Sequence, residues 1–413
     1  MGKVVALRCI RCGRDYPPED RFTGCEVCRA QGLAANLAPE YEPVSPAGLS
    51  RGFDRAGPGL GRFAALLPVE EPVSLGEGAT PLLHAPRLGA RLGIDGLYLK
   101  DEGRNPTGSF KDRMAAVVVA RARDRGAGTV TIASSGNGGA ALAAYAARAG
   151  LRCVVFTLAG APPAMLAQMQ SYGARLVATE RPADRWQLMA YAVERWGWYP
   201  ASNYMSPPVG SNPYGIEGYK TIAYEIAQDL GWRAPDHVVV PTCYGDGLWG
   251  IVRGFGELVR FGLIDRMPRV HAAEVFGSLK TALDAGREEP AAVPGRPTVA
   301  ISIGTPVSTY QALAALRAAG GSAEAVGDDR EILQAQRELA GAEGLYAEPS
   351  AAVAVAAAGR LRARGIIRPG ETVVCILTAT GLKQPEPLAG ELGPVPVIGP
   401  DPGRLAEIFG ERR

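Results

Sequence analysis

The sequence has little histidine: only His84, His237 and His271 in 413 residues, none of them near a cysteine in the N-terminal region. It lacks a charge imbalance, with 44 Lys and Arg against 42 Asp and Glu, a net +2. That balance removes the electrostatic basis for nucleic-acid or polybasic membrane binding as the main activity. No run of about 18 or more uncharged apolar residues occurs, which excludes a transmembrane helix. The apolar stretch Val4–Leu7, between Lys3 and Arg8, is too short for the core of a signal peptide. Nor is there a 20–50-residue repeat or a disordered composition: hydrophobic residues make up 47% and charged residues 21%, the balance of a core-forming chain.

The chain does hold many glycines (53) and prolines (33), mostly at plausible element boundaries. Its length predicts two to four domains or lobes. Seven cysteines are an odd number, and four of them form two pairs, Cys9-x2-Cys12 and Cys25-x2-Cys28, separated by twelve residues. In a chain this long the pattern predicts a metal site in a reducing compartment rather than a disulfide framework, and the expected address is cytoplasmic. Four thiolates on two tight turns, helped by Gly13 and Gly24, suit a closed, tetrahedral and therefore structural zinc site. DNA binding by this ribbon is not expected. Arg8, Arg11, Arg14, Arg21 and Arg29 stand against Asp15, Glu19, Asp20 and Glu26, a balance of only +1. Cys153 and Cys375 lie inside apolar strands and read as core.

The expected organisation is a zinc-ribbon-like module over 1–45, a Pro- and Gly-rich linker arm over 46–75, a catalytic region over 76–390 and a tail over 391–413. From residue 76 short apolar runs alternate with helical stretches. Strands are predicted over 96–100, 129–133, 152–158, 175–178, 237–242, 270–275, 321–326 and 372–377. Helices are predicted over 111–125, 138–149, 162–172, 184–196, 215–230, 248–261, 311–319, 329–342 and 350–363. Alternation of this kind implies an α/β fold, with two lobes of doubly wound parallel sheet covered on both faces. Ligands of such folds sit beyond the C-terminal ends of strands.

Four polar clusters fall at those positions. Asn105–Arg113 places Lys111 at a helix start, where a cation is disfavoured unless it serves a purpose. A lysine with a depressed pKa can bond an aldehyde cofactor there; by spacing alone it also reads as a solvated lysine. Ser134-Ser135-Gly136-Asn137 can bind a carboxylate or phosphate, or be a plain helix cap. Pro241–Leu248 carries Gly245 and Gly247, which allow close backbone approach to a phosphate. Asp246 is odd in such a cradle, since its side chain must point away. Cys243 reads as a small lining residue before a reactive thiol. Thr378, after the last strong strand, can meet a ring nitrogen or end the strand.

Together these loops resemble the fold-type II pyridoxal-phosphate (PLP) enzymes, and among them the threonine synthases. The similarity rests on Gly76–Leu82, Leu99–Glu102, Asn105–Arg113, Ser134–Asn137, Glu217–Thr221, Gly245–Gly247 and Leu377–Lys383, seven motifs in the family's order. The resemblance implies that Lys111 carries PLP covalently and later acts as the base. It implies that Asn137 bonds the cofactor's phenolic oxygen, that Gly245, Asp246, Gly247 and Leu248 hold its phosphate, and that Thr378 meets its ring nitrogen. Phe110 would pack beside the cofactor, though a core role fits it as well. Ser134, Ser135 and Gly136 would receive the carboxylate of a small amino-acid substrate. The implied reaction converts O-phosphohomoserine to threonine and phosphate by γ-elimination and β-addition of water. The alternative is β-elimination or β-substitution on an unphosphorylated amino acid, of ammonia-lyase or dehydratase type. No nucleic-acid or membrane partner is expected, and a homodimer is left open.

One departure bears on that choice. Threonine synthases often carry Asn-Ser and, further on, Arg where this chain has Val209, Gly210 and Gly215. A substrate phosphate would lose its bidentate partner. Lys100 or Lys220 could substitute; otherwise the substrate is not phosphorylated. A smaller departure is Ala379-Thr380, where Gly followed by His or Asn is common.

Overall fold

At the N-terminus, alternation in Val4-Val5-Ala6-Leu7-Arg8-Cys9 buries Leu7 and Cys9 and turns Arg8 outward, as a two-residue period requires. The computed structural model describes residues 2–44, 53 and 57–410. Strand β1 (Val4–Cys9) pairs antiparallel with β2 (Asp15–Tyr16) and β3 (Leu37–Tyr41). Gly13 and Gly24, both at positive φ, make the turns that bring the two cysteine pairs together. Of the expected linker arm, residues 46–52 and 54–56 lie outside the described residues. Further along that arm, Leu60–Leu66 is a 3-10 helix whose Leu60, Phe63 and Leu66 enter the main core.

The chain then makes β4 (Leu82–His84) and β5 (Gly96–Asp101). Next come β6 (Thr129–Ala133), β7 (Arg152–Leu158), β8 (Arg175–Thr179) and β9 (Tyr199–Pro200). Last are β10 (His237–Pro241), β11 (Arg269–Glu274), β12 (Ala323–Ala325) and β13 (Thr372–Leu377). The smaller sheet has order β8-β7-β6-β9 and is all parallel. The larger has order β12-β11-β10-β13-β5-β4. It is parallel except for β4, which runs antiparallel to β5 at the edge. The expected doubly wound parallel sheets are therefore present, with one antiparallel edge strand that their apolar pattern did not announce. Central strands such as β10 are buried along their whole length, because helices cover both faces.

One expected helix is broken. Over 215–230 the chain makes a short helix Pro213–Ile216, a 3-10 turn Glu217–Tyr219 and a helix Lys220–Asp229. The Asn212 side chain caps Tyr214 N–H and Gly215 N–H, with Pro213 at the first position. Gly218 then presses on the helix Lys111–Asp124, where a Cβ would lie 2.0 Å from the Arg113 carbonyl oxygen. That contact fixes how the two helices meet. Among the described residues no helix is long and apolar enough to cross a membrane.

Candidate active site

The four clusters converge at the C-terminal ends of β5, β6, β10 and β13. The loop before Lys111 is zipped to the loop after β13: Phe110 N–H donates to Thr378 O at 2.9 Å and Thr380 N–H to Gly108 O at 3.0 Å. Two residues past Lys111, Arg113 is fully buried. Its guanidinium grips Glu102 (Nε to Oε2, 2.7 Å) and Glu225 (Nη2 to Oε2, 2.7 Å). These paired charges fix the start of the helix, and removing one partner would strand the other in the core.

Lys111 is half-buried, with its Nζ 4.8 Å from the Phe110 ring centroid and 5.5 Å from that of Tyr219. Burial pushes its ammonium pKa down, but Tyr219 and Asp246 outweigh that and hold it above the usual lysine value. The expected depression is thus not a property of these residues alone. Tyr219 was not anticipated as a site residue; burial raises its hydroxyl to about 12, with the Lys111 ammonium beside it pulling the other way. Burial likewise lifts the Cys243 thiol to about 12, which leaves it a lining group rather than a nucleophile.

At the end of β10, Gly245 has φ +82 and opens the helix Asp246–Arg260. A Cβ on Gly245 would lie 2.3 Å from Ala312 Cβ, and one on Gly247 2.6 Å from the Phe110 ring. The first-turn N–H groups of Asp246, Gly247 and Leu248 have no side-chain cap. Asp246 does turn away: its Oδ1 accepts from Ser211 N–H at 3.0 Å and its Oδ2 from Ser211 Oγ at 2.6 Å, and Gln311 Nε2 donates to it too. Gln311 also accepts from Asn36 of the cysteine module, Nδ2 to Oε1, 3.0 Å.

At the end of β6, Ser134 Oγ accepts from Gly136 N–H (3.3 Å) and Gly139 N–H (3.0 Å). Ser135 Oγ accepts from Leu158 N–H and from Arg185 Nη1, both at 3.1 Å. With both lone pairs of each hydroxyl used, only the O–H protons remain, so the two serines face a ligand as donors. Asn137 Nδ2 donates to both Glu348 oxygens at 3.1 and 3.0 Å, while its buried Oδ1 is unpartnered. Burial raises the Glu348 pKa. Glu348 was missed in the sequence; its only signal is a Glu-Pro-Ser start of an Ala-rich helix. Thr378 is buried and its hydroxyl makes no hydrogen bond to a described residue.

Residues 73–379 match the family described as pyridoxal-phosphate dependent enzyme. The chain belongs to that family. It is 37% identical to the threonine synthase of Methanocaldococcus jannaschii over 388 residues, 92% of this chain and 93% of that protein. To the threonine synthase of Methanosarcina acetivorans it is 38% identical over 386 residues, 92% of each chain. Its fold is similar to that of maize serine racemase, with a TM-score of 0.64 at 20% identity over 76% of this chain and 91% of that one.

The residues of this PLP-family enzyme fit the cofactor. Two glycines clear a cradle at a helix N-terminus, and the polar atoms Asn137 Oδ1 and Ser109 Oγ, on two of the other strand-end loops, are buried without a hydrogen-bond partner. Two cations suggested for a substrate phosphate do not serve. Lys100 Nζ is buried against Glu225 (3.0 Å) and Asp229 (3.3 Å), and Lys220 Nζ against Glu217 (2.7 Å) and Glu257 (2.9 Å). Gly215 has no positive φ; it is small because a Cβ there would sit 3.1 Å from both Met114 Cγ and Val118 Cβ.

In the N-terminal module the sulfurs of Cys9, Cys12, Cys25 and Cys28 lie within 4.8 Å of one another. Cys9–Cys28 and Cys12–Cys25 are each separated by 3.7 Å between sulfurs. A tetrahedron with Zn–S bonds of about 2.3 Å has edges of about 3.8 Å. The spacing therefore suits a four-coordinate metal and is far longer than a disulfide bond of about 2.05 Å.

Proposed function

We propose that this enzyme is a PLP-dependent carbon–oxygen lyase of threonine synthase type, converting O-phosphohomoserine to threonine and phosphate. The observation that carries the reading is the convergence of four strand-end loops on Lys111 in a chain 37–38% identical to threonine synthases over nearly its whole length. When bound, PLP supplies the electron sink that stabilises negative charge developing on the substrate's carbons. Lys111 would carry the cofactor and then move protons at those carbons. The N–H groups of Asp246, Gly247 and Leu248, with Gly245, would hold the cofactor phosphate. Thr378 would meet the ring nitrogen, and its hydroxyl does not force protonation there. Asn137, held by Glu348, would orient the ring at its phenolic oxygen. The hydroxyl protons of Ser134 and Ser135, with Gly136, would bind the substrate carboxylate. Cys9, Cys12, Cys25 and Cys28 would hold one structural zinc, since four thiolates leave no open position.

The second reading, β-elimination on an unphosphorylated amino acid, is favoured by Gly215 itself, which leaves the site without the arginine of the threonine synthase pattern at a position where a Cβ would already press on Met114 and Val118 at 3.1 Å. Steady-state kinetics of the holoenzyme with O-phosphohomoserine, threonine, serine and diaminopropionate separates the two. Threonine and phosphate formed in equal amounts from O-phosphohomoserine are expected. Ammonia release from serine or diaminopropionate, with no phosphate release, would establish the second reading instead.

A further inference from the structure

Arg185 lies on the helix Pro182–Trp196, which packs on the smaller sheet. It is half-buried, and it makes no ion pair with a described carboxylate. The neighbouring Asp184 is occupied by Arg181, through contacts of 2.9 and 3.0 Å. Arg185 Nε is used on the Pro182 carbonyl (3.3 Å) and Nη1 on Ser135 Oγ (3.1 Å), while Nη2 donates to no described group. Burial pulls its pKa below the usual arginine value against only the weak acids Tyr244 and Cys243, with no carboxylate to oppose it, yet a guanidinium stays charged at neutral pH. An unpaired, partly desolvated cation is costly unless a ligand completes it.

Its bond to Ser135 Oγ ties it to the loop after β6, one of the loops that form the cleft. The ring of the adjacent Trp186 lies 6.0 Å from that of Tyr244, in the loop that leads to Gly245. The substrate carboxylate, a monoanion, already has the two serine O–H donors and the start of the helix Asn137–Ala149. A phosphate ester with up to two charges needs a fixed cation, for which the planar fork of arginine is suited.

We propose that Arg185 determines specificity by holding the phosphate of the substrate, in place of the arginine that is absent at Gly215. The inference rests on the reading of this site as one for an O-phosphorylated amino acid. The test uses holoenzyme and the variants Arg185→Ala, Arg185→Gln and Arg185→Lys, each checked for retained PLP absorbance. Arg185→Ala and Arg185→Gln are expected to raise KM for O-phosphohomoserine, and the inhibition constant of inorganic phosphate, about tenfold to a hundredfold, the worth of one charge-assisted hydrogen bond. Arg185→Lys should fall between. Spectral titration with L-threonine, which has no phosphate, should be unchanged. An equal loss with L-threonine would mean that Arg185 reads the carboxylate, and an unchanged KM that it reads neither; both overturn the proposal. If the unmodified enzyme forms no threonine, the functional reading fails, and titration with O-phosphoserine against serine decides the role of Arg185. A preference for the phosphorylated ligand that collapses in Arg185→Ala sustains it; no preference overturns it.

Discussion

At the scale of single residues, the lysine at the start of a buried helix is the clearest case. Lys111→Ala is expected to abolish the visible absorbance of bound cofactor and reduce turnover below detection, while leaving the circular dichroism spectrum intact. A borohydride-reducible PLP adduct on another lysine with normal turnover would refute the assignment. Lys111 was legible because its loop carries local chemistry: Asn, Gly, Ser and Lys within seven residues, after a strand. Glu348 and Arg185 were not, because what marks them is a partner far along the chain. Glu348 meets Asn137 across 211 residues and Arg185 meets Ser135 across 50. The cationic role suggested for Lys100 and Lys220 failed for the same reason, since Glu225 and Glu257 claim them only once the helices have packed.

At the scale of elements, strands and helices with clean periodicity were legible; β6, β7 and β13 begin and end where the apolar runs do. The break within 215–230 was not, because it depends on Gly218 reaching the Arg113 carbonyl. Neither was a feature that only sheet order creates: β13, β10 and β11 lie side by side and align Glu371, His237, His271 and Ser322 across the N-terminal part of these strands. Ser322 N–H donates to His271 Nδ1 at 3.1 Å, so the His271 proton is on Nε2 and is given to His237 Nδ1 at 2.9 Å. His237 then carries its proton on Nε2, toward Glu371 at 3.0 Å. A second proton on His271 would have to sit on Nδ1, facing the Ser322 N–H that already donates there. Burial accordingly holds the His271 pKa down to about 3. Between an unfolded value of about 6.5 and that one, the unfolded chain binds a proton that the native chain does not. Stability is therefore expected to fall as pH drops through this window, by up to roughly 1.4 kcal/mol per pH unit. Melting temperatures of the native protein and His271→Asn between pH 7.5 and 4.5 test this. The variant should show the shallower dependence whatever its stability at pH 7.5, and equal slopes would dismiss the relay.

At the scale of the whole molecule, the cysteine module reaches the loop proposed to cradle the cofactor phosphate. The four-cysteine spacing was legible as a unit, but where it docks was not, since the docking contacts join residues far apart in sequence. Asn36 Nδ2 donates to Gln311 Oε1, 275 residues away, and to Ser211 O at 3.1 Å. Gln311 and Ser211 both hold Asp246, whose backbone opens the helix proposed to bind the cofactor phosphate. Gly210 has φ +124 and no space for a side chain, because a Cβ would meet Asn36 Nδ2 at 2.5 Å and Gln311 Oε1 at 2.6 Å. The loop that departs from the threonine synthase pattern is thus the surface on which the module sits. A module that only stabilised the chain would affect its melting; one that braces Asp246 should also affect cofactor retention. Asn36→Ala removes one buried hydrogen-bond donor from this chain of contacts, a change worth about 1 kcal/mol. It is expected to weaken PLP binding about fivefold, measured by equilibrium dialysis of the holoenzyme, with the zinc content unchanged. Arg8→Ala, which breaks only the exposed Arg8–Asp15 pair of the same module, should leave PLP binding as it was. If both variants bind PLP like the native protein, the module acts on stability alone, and the contacts through Gln311 transmit nothing to the cradle.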